Sequence, residues 1–587
     1  MSARRHLQGL QVASALRASC LRERYSLSKF RGDLMAGLTV GISAIPLSMA
    51  LAIAIGVPPQ HGLYTSLVAG LIMALLGGSR YSVSGPTAAF VVILQPVVQA
   101  YGLPGLLLTT LLAGGFILLM AIAQFGRVLS YIPHTVTFGF TLGIAVVLAT
   151  LQVPDLFGLV LTEPLPNFFF AKLWDIARHI PTIHWPTLMV TAVSFAVMYL
   201  WPKLKIPIPA HLITLLAGVL VASLLSHWGY PVATIASSFE YHAHPGHTAG
   251  GIPNFLPQFA LPWQGLEGNY WTFDMLGEVL PQALTIALLG AIEALLCAVM
   301  IERMTGQRYQ ANSELFGLGV GNIVAPFFGG FSAAPELARS TTNIRAGAAT
   351  PLAAVIHAGV IGISLLWASP YLKHLPMACM ATLVVIVAWR MCHGRQIVNT
   401  IRTAPTADVA VFVVCFSLTL LVDMVVAIGS AVVIAALLFM RDIAAMTKAR
   451  DITKALKHVP RPLPERWRVI KISGPLFFAA ADKIFAELDE FAKEQQGLVV
   501  HMDGVPLLDA GGLDGLTGFI TRCKKRKCQL IFSDIQFQPL KAMVRAGIKA
   551  ENGNFTVYPI LADALDAVLD QDPHQPPVTE PAAESKV

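Results

Sequence analysis

Long apolar runs fill residues 33 to 440, each close to the length that crosses a bilayer, with short polar connections between them. Read this way, candidate spans start near 33, 62, 86, 103, 134, 184, 208, 276, 312, 339, 350, 374, 407 and 424, about fourteen in all. Those near 86 and 339 are short. Each grows out of a Gly- and Ser-rich stretch, LLGGSRYSVSGPTAAF (Leu75 to Phe90) and FFGGFSAAPELARSTTN (Phe327 to Asn343), about 250 residues apart. Backbone amides inside a membrane must be received by protein or by a watery cavity. Two interrupted helices at matching places in two halves therefore predict a substrate site between inverted repeats, the mark of a secondary transporter.

The two ends read differently. Residues 1–32 are basic and polar (Arg4, Arg5, Arg17, Arg22, Arg24, Lys29, Arg31) and lack an apolar region followed by a cleavage site. They are expected to be cytoplasmic, either as an interfacial helix or as a basic arm. After Arg441 a polar, Pro-bearing linker over 441–465 leads to four strand-like segments, WRVIKI (467–472), GLVVHM (497–502), CQLIFSD (528–534) and FTVYP (555–559). Amphipathic stretches at about 479–495, 512–525 and 538–546 alternate with them. Residues 466–570 are thus expected to form one small α/β domain, and 571–587 a disordered tail.

Composition agrees with this division. Of 587 residues 55% are hydrophobic and 13% charged, about half the charge of soluble domains. Charge also sets topology. Connections after even-numbered spans carry Arg80, Arg127, Lys203, Lys205, Arg303, Arg308, Arg345, Arg390, Arg395, Arg402 and Arg441, whereas those after odd-numbered spans carry Lys172, Arg178 and Lys373. The positive-inside rule then places both termini in the cytoplasm of a multi-pass protein. The seven cysteines form no pairing framework, and Cys523 and Cys528 have no second ligand pair for a metal. His242, His244 and His247 in HAHPGHTAGG are read as part of a solvated extracytoplasmic loop, and Lys524, Lys525, Arg526 and Lys527 as a solvated face near anionic lipid, not a nucleic-acid site. A Walker loop, an HExxH pair and a nucleophile elbow are all missing from the sequence. The chain is therefore read as a non-enzyme without cofactor or metal, and uphill transport would draw on an ion gradient or on exchange.

Two ionisable residues lie deep within spans. Arg339 opens the second broken helix, where a charge costs about 3 kcal/mol on insertion scales and so calls for a cavity and a partner. Helix N-termini that face one another there would add free amides and positive dipole ends, which suit an anion, and Thr87 and Ser340 would add hydroxyl donors. Glu293 sits in the middle of ALLGAIEALLCAV (Ala287 to Val299), with no Lys or Arg within nine residues. Desolvation favours the neutral form of a lone carboxyl, so Glu293 is the candidate for carrying a coupling proton.

At these residues the chain resembles the SulP anion-permease family, whose members join fourteen spans to a cytoplasmic STAS domain. The likeness covers residues 25 to 570. It rests on GLTVGISAIPLSMALAIAIGVPPQHGLYTS (Gly37 to Ser66), SVSGPTAAF, GAIEALLCAV, GGFSAAPELARSTTN, ISGPLFFAAAD (Ile472 to Asp482) and DGVPLLDAGGLDGL (Asp503 to Leu516). The resemblance implies a seven-plus-seven inverted repeat of the uracil-permease kind, with spans 1–4 and 8–11 as moving core and spans 5–7 and 12–14 as gate. It also implies a homodimer in a bacterial inner membrane and, within the family, similarity to C4-dicarboxylate transporters that take up succinate, fumarate and aspartate with protons.

On that reading Arg339, Ser340 and the backbone around Gly85, Pro86, Thr87 and Ala88 hold one carboxylate, while Pro46, Leu47 and Ala338 shape the apolar part. Leu47 and Leu51 stand where sulfate- and chloride-type members carry Gln and Tyr, Ala338 where Ser is frequent, and Glu336 where small residues are common. The last could pair with Arg339 or titrate with the substrate. The turn Asp509-Ala510-Gly511-Gly512 lacks the phosphorylatable hydroxyl of anti-sigma-factor antagonists, so the STAS domain is expected to steady a dimer or dock a soluble partner. Two other readings stand beside the dicarboxylate: a bicarbonate or sulfate transporter of the same fold, and a membrane sensor signalling through its STAS domain.

Overall fold

The computed structural model describes residues 12–23, 25–127, 134–166, 168–204, 206, 209–244, 247–263, 273–392, 394–422, 424–551 and 554–570. The chain divides into two compact units, residues 1–432 and 433–587.

In the first unit the expected spans become helices: α1 (Leu27–Ile55), α2 (Gln60–Leu76), strand β1 (Ser84–Pro86), and α3 (Ala88–Ile122). Next come α4 (His134–Leu151), a short amphipathic helix α5 (Phe169–His179), α6 (Trp185–Leu200) and α7 (Ala210–His227). A hairpin of β2 (Glu240–His244) and β3 (His247–Gly250) precedes α8 (Phe273–Thr305), α9 (Ala311–Val324), strand β4 (Ala333–Pro335) and α10 (Leu337–Arg345). The unit ends with α11 (Leu352–Trp367), α12 (Met377–Met391), the amphipathic α13 (Gly394–Thr403) and α14 (Thr406–Leu421); α15 (Met424–Met446) runs on into the second unit. Helix α3 is two spans in one. Its trace breaks at Gly102, whose φ of 60° and ψ of −154° few side chains tolerate, and Pro96 and Pro104 flank the break. Among the described residues, counting α3 twice and leaving out the amphipathic α5 and α13 gives the expected fourteen. Trp185, Tyr199, Trp367 and Trp389, near helix ends, are exposed, as in the aromatic belts of membrane proteins.

Three expectations need adjusting in this unit. The first helix starts at Leu27 rather than 33 and takes in Lys29 and Arg31, because Ser26 caps it by accepting the Lys29 N–H. Described residues before it are not a loose arm: the Ala13 N–H donates to the Leu76 carbonyl at 3.1 Å, tying the segment to the end of α2. Around His242, His244 and His247 the backbone forms the β2–β3 hairpin rather than an irregular loop; the side chains of those histidines lie outside the described residues.

The second unit holds a five-stranded sheet in the order β5 (Lys448–Asp451), β6 (Trp467–Ser473), β7 (Gly497–Gly504), β8 (Gln529–Ser533), β9 (Phe555–Tyr558). Strands β6 to β9 run parallel, and β5 pairs antiparallel with β6. Helices α16 (Phe478–Phe491), α17 (Ala510–Arg526), α18 (Phe537–Arg545) and α19 (Leu561–Leu569) alternate with the strands. Strand β5 lies inside the stretch expected as linker. Its sequence, KARD, carries one apolar residue and gives no hydrophobic alternation, which suits an exposed edge.

The basic run at the end of α17 is partly neutralised within the unit: Lys524 pairs with Glu551 at 2.6 Å and Arg526 with Asp489 at 3.3 Å. Asp509 serves as a structural cap, accepting the Gly512 N–H at 2.8 Å and the Phe478 N–H at 3.2 Å.

Candidate functional site

The site is built where the two broken helices meet. Strands β1 and β4 pair antiparallel, with Ser84 opposite Pro335, Gly85 opposite Ala334 and Pro86 opposite Ala333. This places the start of α3 beside the start of α10, one from each half of the chain. First-turn amides of a helix have no intrahelical acceptor, so both tips present donors and the positive ends of their dipoles.

Each strand is braced by the other half. Ser340 Oγ accepts from the Val83 N–H at 3.0 Å and donates to the Glu336 carbonyl at 2.8 Å. Asn343 donates to the Tyr81 carbonyl at 3.1 Å. On the opposite side Thr65 Oγ1 accepts from the Phe331 N–H at 2.8 Å, and Asn322, from the same half as Ala333, grips that residue through both its N–H, at 2.8 Å, and its carbonyl, at 3.0 Å. Irregular backbone at membrane depth is thereby satisfied by protein.

Arg339 lies on the first turn of α10 and is 5% exposed. Its Nη2 donates to the Pro86 carbonyl at 3.3 Å across the strand pair. Its Nε sits 2.8 Å from Glu336 Oε2, an ion pair by distance, yet neither atom is aimed for a hydrogen bond, and among the described residues Nη1 has no hydrogen-bond partner. The guanidinium is therefore buried, positioned and only partly satisfied, which is the state expected of a cation awaiting an anion. Gly85 makes room for it: a methyl built there would overlap Arg339 Nη1 and come within 2.9 Å of Ser66 Oγ. We predict that Gly85→Ala displaces the guanidinium and cuts anion uptake by about tenfold or more, with the purified protein still monodisperse. Undiminished uptake in that variant would remove Gly85 from the site.

Glu293 belongs to the same place. Thr87, the cap of α3, accepts from the Ala89 N–H at 3.4 Å and donates from Oγ1 to Glu293 Oε2 at 3.3 Å. A carboxyl group is thus set against the tip of α3, and in its ionised form it would compete with a substrate anion for positive potential. Pro46 and Leu47 are buried on α1. The neighbouring Ser48 hydroxyl contacts Ser66 Oγ at 2.8 Å, which links that level of α1 to Gly85.

Two expected residues take different parts. Successive helical residues point about 100° apart, so Arg339, Ala338 and Ser340 cannot share a face. The Ser340 hydroxyl is committed to backbone and to the Cys297 thiol, 3.5 Å away, and acts as a brace rather than a free donor. Ala338 is exposed and adds no buried apolar wall. Ser48, Ser66, Asn322 and Asn343 escaped the sequence reading. So did His357, buried on α11 within electrostatic reach of Arg339; a single histidine in the apolar LAAVIHAGVIG was the only signal.

With this geometry in view, comparison with known proteins is decisive. Residues 30–415 match the sequence profile of the sulfate permease family, and residues 458–564 match the STAS domain. The chain belongs to the sulfate permease family. The permease is 33% identical over 527 residues to YvdB of Bacillus subtilis, named as a proposed sulfate transporter, with 89% of this chain and 95% of that protein aligned. It is 24% identical over 575 residues to the bicarbonate transporter BicA of Picosynechococcus, covering 92% and 97%. Its fold superposes on that of the murine Slc26a9 anion transporter in the inward-facing state with a TM-score of 0.81 at 18% identity, over 95% and 94% of the chains. The permease is accordingly a multi-pass membrane transporter of this fold, and its relatives are transporters rather than enzymes.

Proposed function

We propose that the permease carries C4-dicarboxylates such as succinate, fumarate and aspartate together with protons, by alternating access across a bacterial inner membrane, with both termini cytoplasmic. The observation that carries the anion site is the unsatisfied Nη1 of Arg339 between two paired helix tips. One carboxylate of the substrate would take that donor together with the first-turn amides at Thr87 and Ala88. The carbon chain would lie against Pro46 and Leu47, where an apolar wall suits a four-carbon body better than a small inorganic ion. Homodimerisation and a soluble partner for the STAS domain are part of this proposal.

Coupling follows from charge. Glu293 beside Thr87 and Glu336 beside Arg339 place two carboxylates on the rim of an anion site. While ionised, Glu293 opposes a bound anion; protonated, it stops doing so. Anion and proton therefore favour one another's binding, the requirement for symport. Glu336→Gln is expected to free Arg339 and lower the KM for the transported anion about fivefold at neutral pH, an ordinary coupling magnitude. An unchanged KM in initial-rate uptake would show that Glu336 does not compete.

A second reading keeps the site and changes the cargo to bicarbonate or sulfate, favoured by the names of YvdB and BicA. Uptake of radiolabelled succinate, sulfate and bicarbonate by proteoliposomes at two pH values separates them. Succinate uptake above empty liposomes, and greater at acid pH, supports the dicarboxylate. Succinate uptake no better than that control, with sulfate or bicarbonate transported, establishes the alternative.

A further inference from the structure

An open cavity of about 290 Å³ lies away from the central site, and its wall is unusual for a membrane protein. Helix α3 contributes Gln95, α8 contributes Gln282, α14 contributes Thr419, and α5 contributes Lys172. Lys172 is 4% exposed and Gln95 9%. Among the described residues Lys172 has no ion-pair partner and its side chain makes no hydrogen bond, and Oε1 of Gln282 is buried without a partner. An ammonium taken out of water without a counter-ion is costly. Burial accordingly pushes the Lys172 ammonium below the usual lysine range. The side chains that could have neutralised it are amides and a hydroxyl rather than carboxylates, so the deficit is one negative charge.

The cavity also lies on a path. Gln95 is seven residues beyond Ala88 on α3, roughly 10 Å along the helix, and Gln282 is eleven residues before Glu293 on α8, roughly 16 Å. Thr87 and Glu293 join the same two helices at the central site. Both helices thus run from that site in one direction and reach the cavity together. Across it stand Val147 of α4 and Thr419 of α14, helices that the family resemblance assigns to the gate, with α3 and α8 assigned to the core. The charge pattern puts this end on the extracytoplasmic side.

We infer that Lys172, with the amides of Gln95 and Gln282, forms a second, outer anion site that captures the carboxylate or small oxyanion from outside before it reaches Arg339. This rests on the transport reading above and assigns it an entrance. The site is sided: it raises the local anion concentration at the outer mouth and contributes nothing to an anion arriving from the cytoplasm.

The test is uptake of radiolabelled succinate, and in parallel sulfate, by right-side-out and by everted membrane vesicles carrying wild type, Lys172→Met or Lys172→Arg. For whichever anion the wild type carries, Lys172→Met raises KM about tenfold from the outer face, the loss expected for one charge-assisted hydrogen bond. Maximal rate stays within about twofold, and KM from the cytoplasmic face is unchanged. Methionine keeps the length of the stem, so packing survives, and Lys172→Arg recovers most of the outer affinity. Equal shifts of KM from both faces, an unaltered outer KM, or a loss confined to maximal rate would each overturn the outer site while leaving the transport reading intact. A wild type that carries neither anion above control vesicles would instead overturn the transport reading and this site with it.

Discussion

Arg339→Ala is expected to lower anion uptake by roughly a hundredfold or more, while the protein still inserts and purifies as a folded species. The magnitude follows from what the side chain does. It supplies the unsatisfied Nη1 donor, and it is the cation that offsets Glu336, 2.8 Å away. Removing it costs charge-assisted hydrogen bonds of about 1.5–3 kcal/mol each and leaves a carboxylate facing the incoming anion. Folding survives because the strand pair does not depend on this residue: Ser340, Asn343, Thr65 and Asn322 hold the backbone around β1 and β4. Insertion becomes easier, since a membrane-buried arginine costs about 3 kcal/mol. Arg339→Lys should be intermediate: it restores charge but not the planar fork that reaches the Pro86 carbonyl and a substrate together. Wild-type uptake rates in Arg339→Ala vesicles would contradict the assigned role.

Glu293→Gln is the second large effect, and it falls on pH dependence rather than on rate. Glutamine preserves shape and can still accept the Thr87 hydroxyl, but it neither binds nor releases a proton. In the wild type, lowering the pH removes a negative charge next to the tip of α3 and should stimulate uptake, by up to about tenfold per pH unit for one coupled proton. In Glu293→Gln that stimulation should shrink to about twofold or less, with exchange of anion for anion retained. A variant as steeply stimulated by acid as the parent would move the coupling group elsewhere, Glu336 being the next carboxyl to test.

Much of the transmembrane unit could be read from the chain because lipid imposes a simple rule. Helix starts at Gln60, His134, Trp185, Ala311, Thr406 and Met424 fall within three residues of the positions that hydropathy indicates. The broken helices were visible because Gly77, Gly78, Gly85, Gly329 and Gly330 interrupt apolar runs, something a membrane helix tolerates only for a reason. What stayed hidden were contacts between distant parts. Nothing local in ALLGAIEALLCAV says that Glu293 meets Thr87, 206 positions earlier. The division of labour between Arg339 and Ser340 depends on which face of α10 meets Val83, and that is set by the β1–β4 register rather than by spacing. Lys172 looked like an ordinary charge in a polar connection; only the fold closes α3, α4, α8 and α14 around it. Strand β5 escaped notice because an exposed edge strand needs no hydrophobic alternation.

The most direct test of the central claim is a high-resolution structure of the full-length permease in saturating succinate, compared with the anion-free protein. Density is expected for one carboxylate within hydrogen-bonding distance of Arg339 Nη1 and of the first amides of α3, with the carbon chain toward Leu47. Succinate bound elsewhere, or a central site left empty with Arg339 still turned to Glu336, would contradict it.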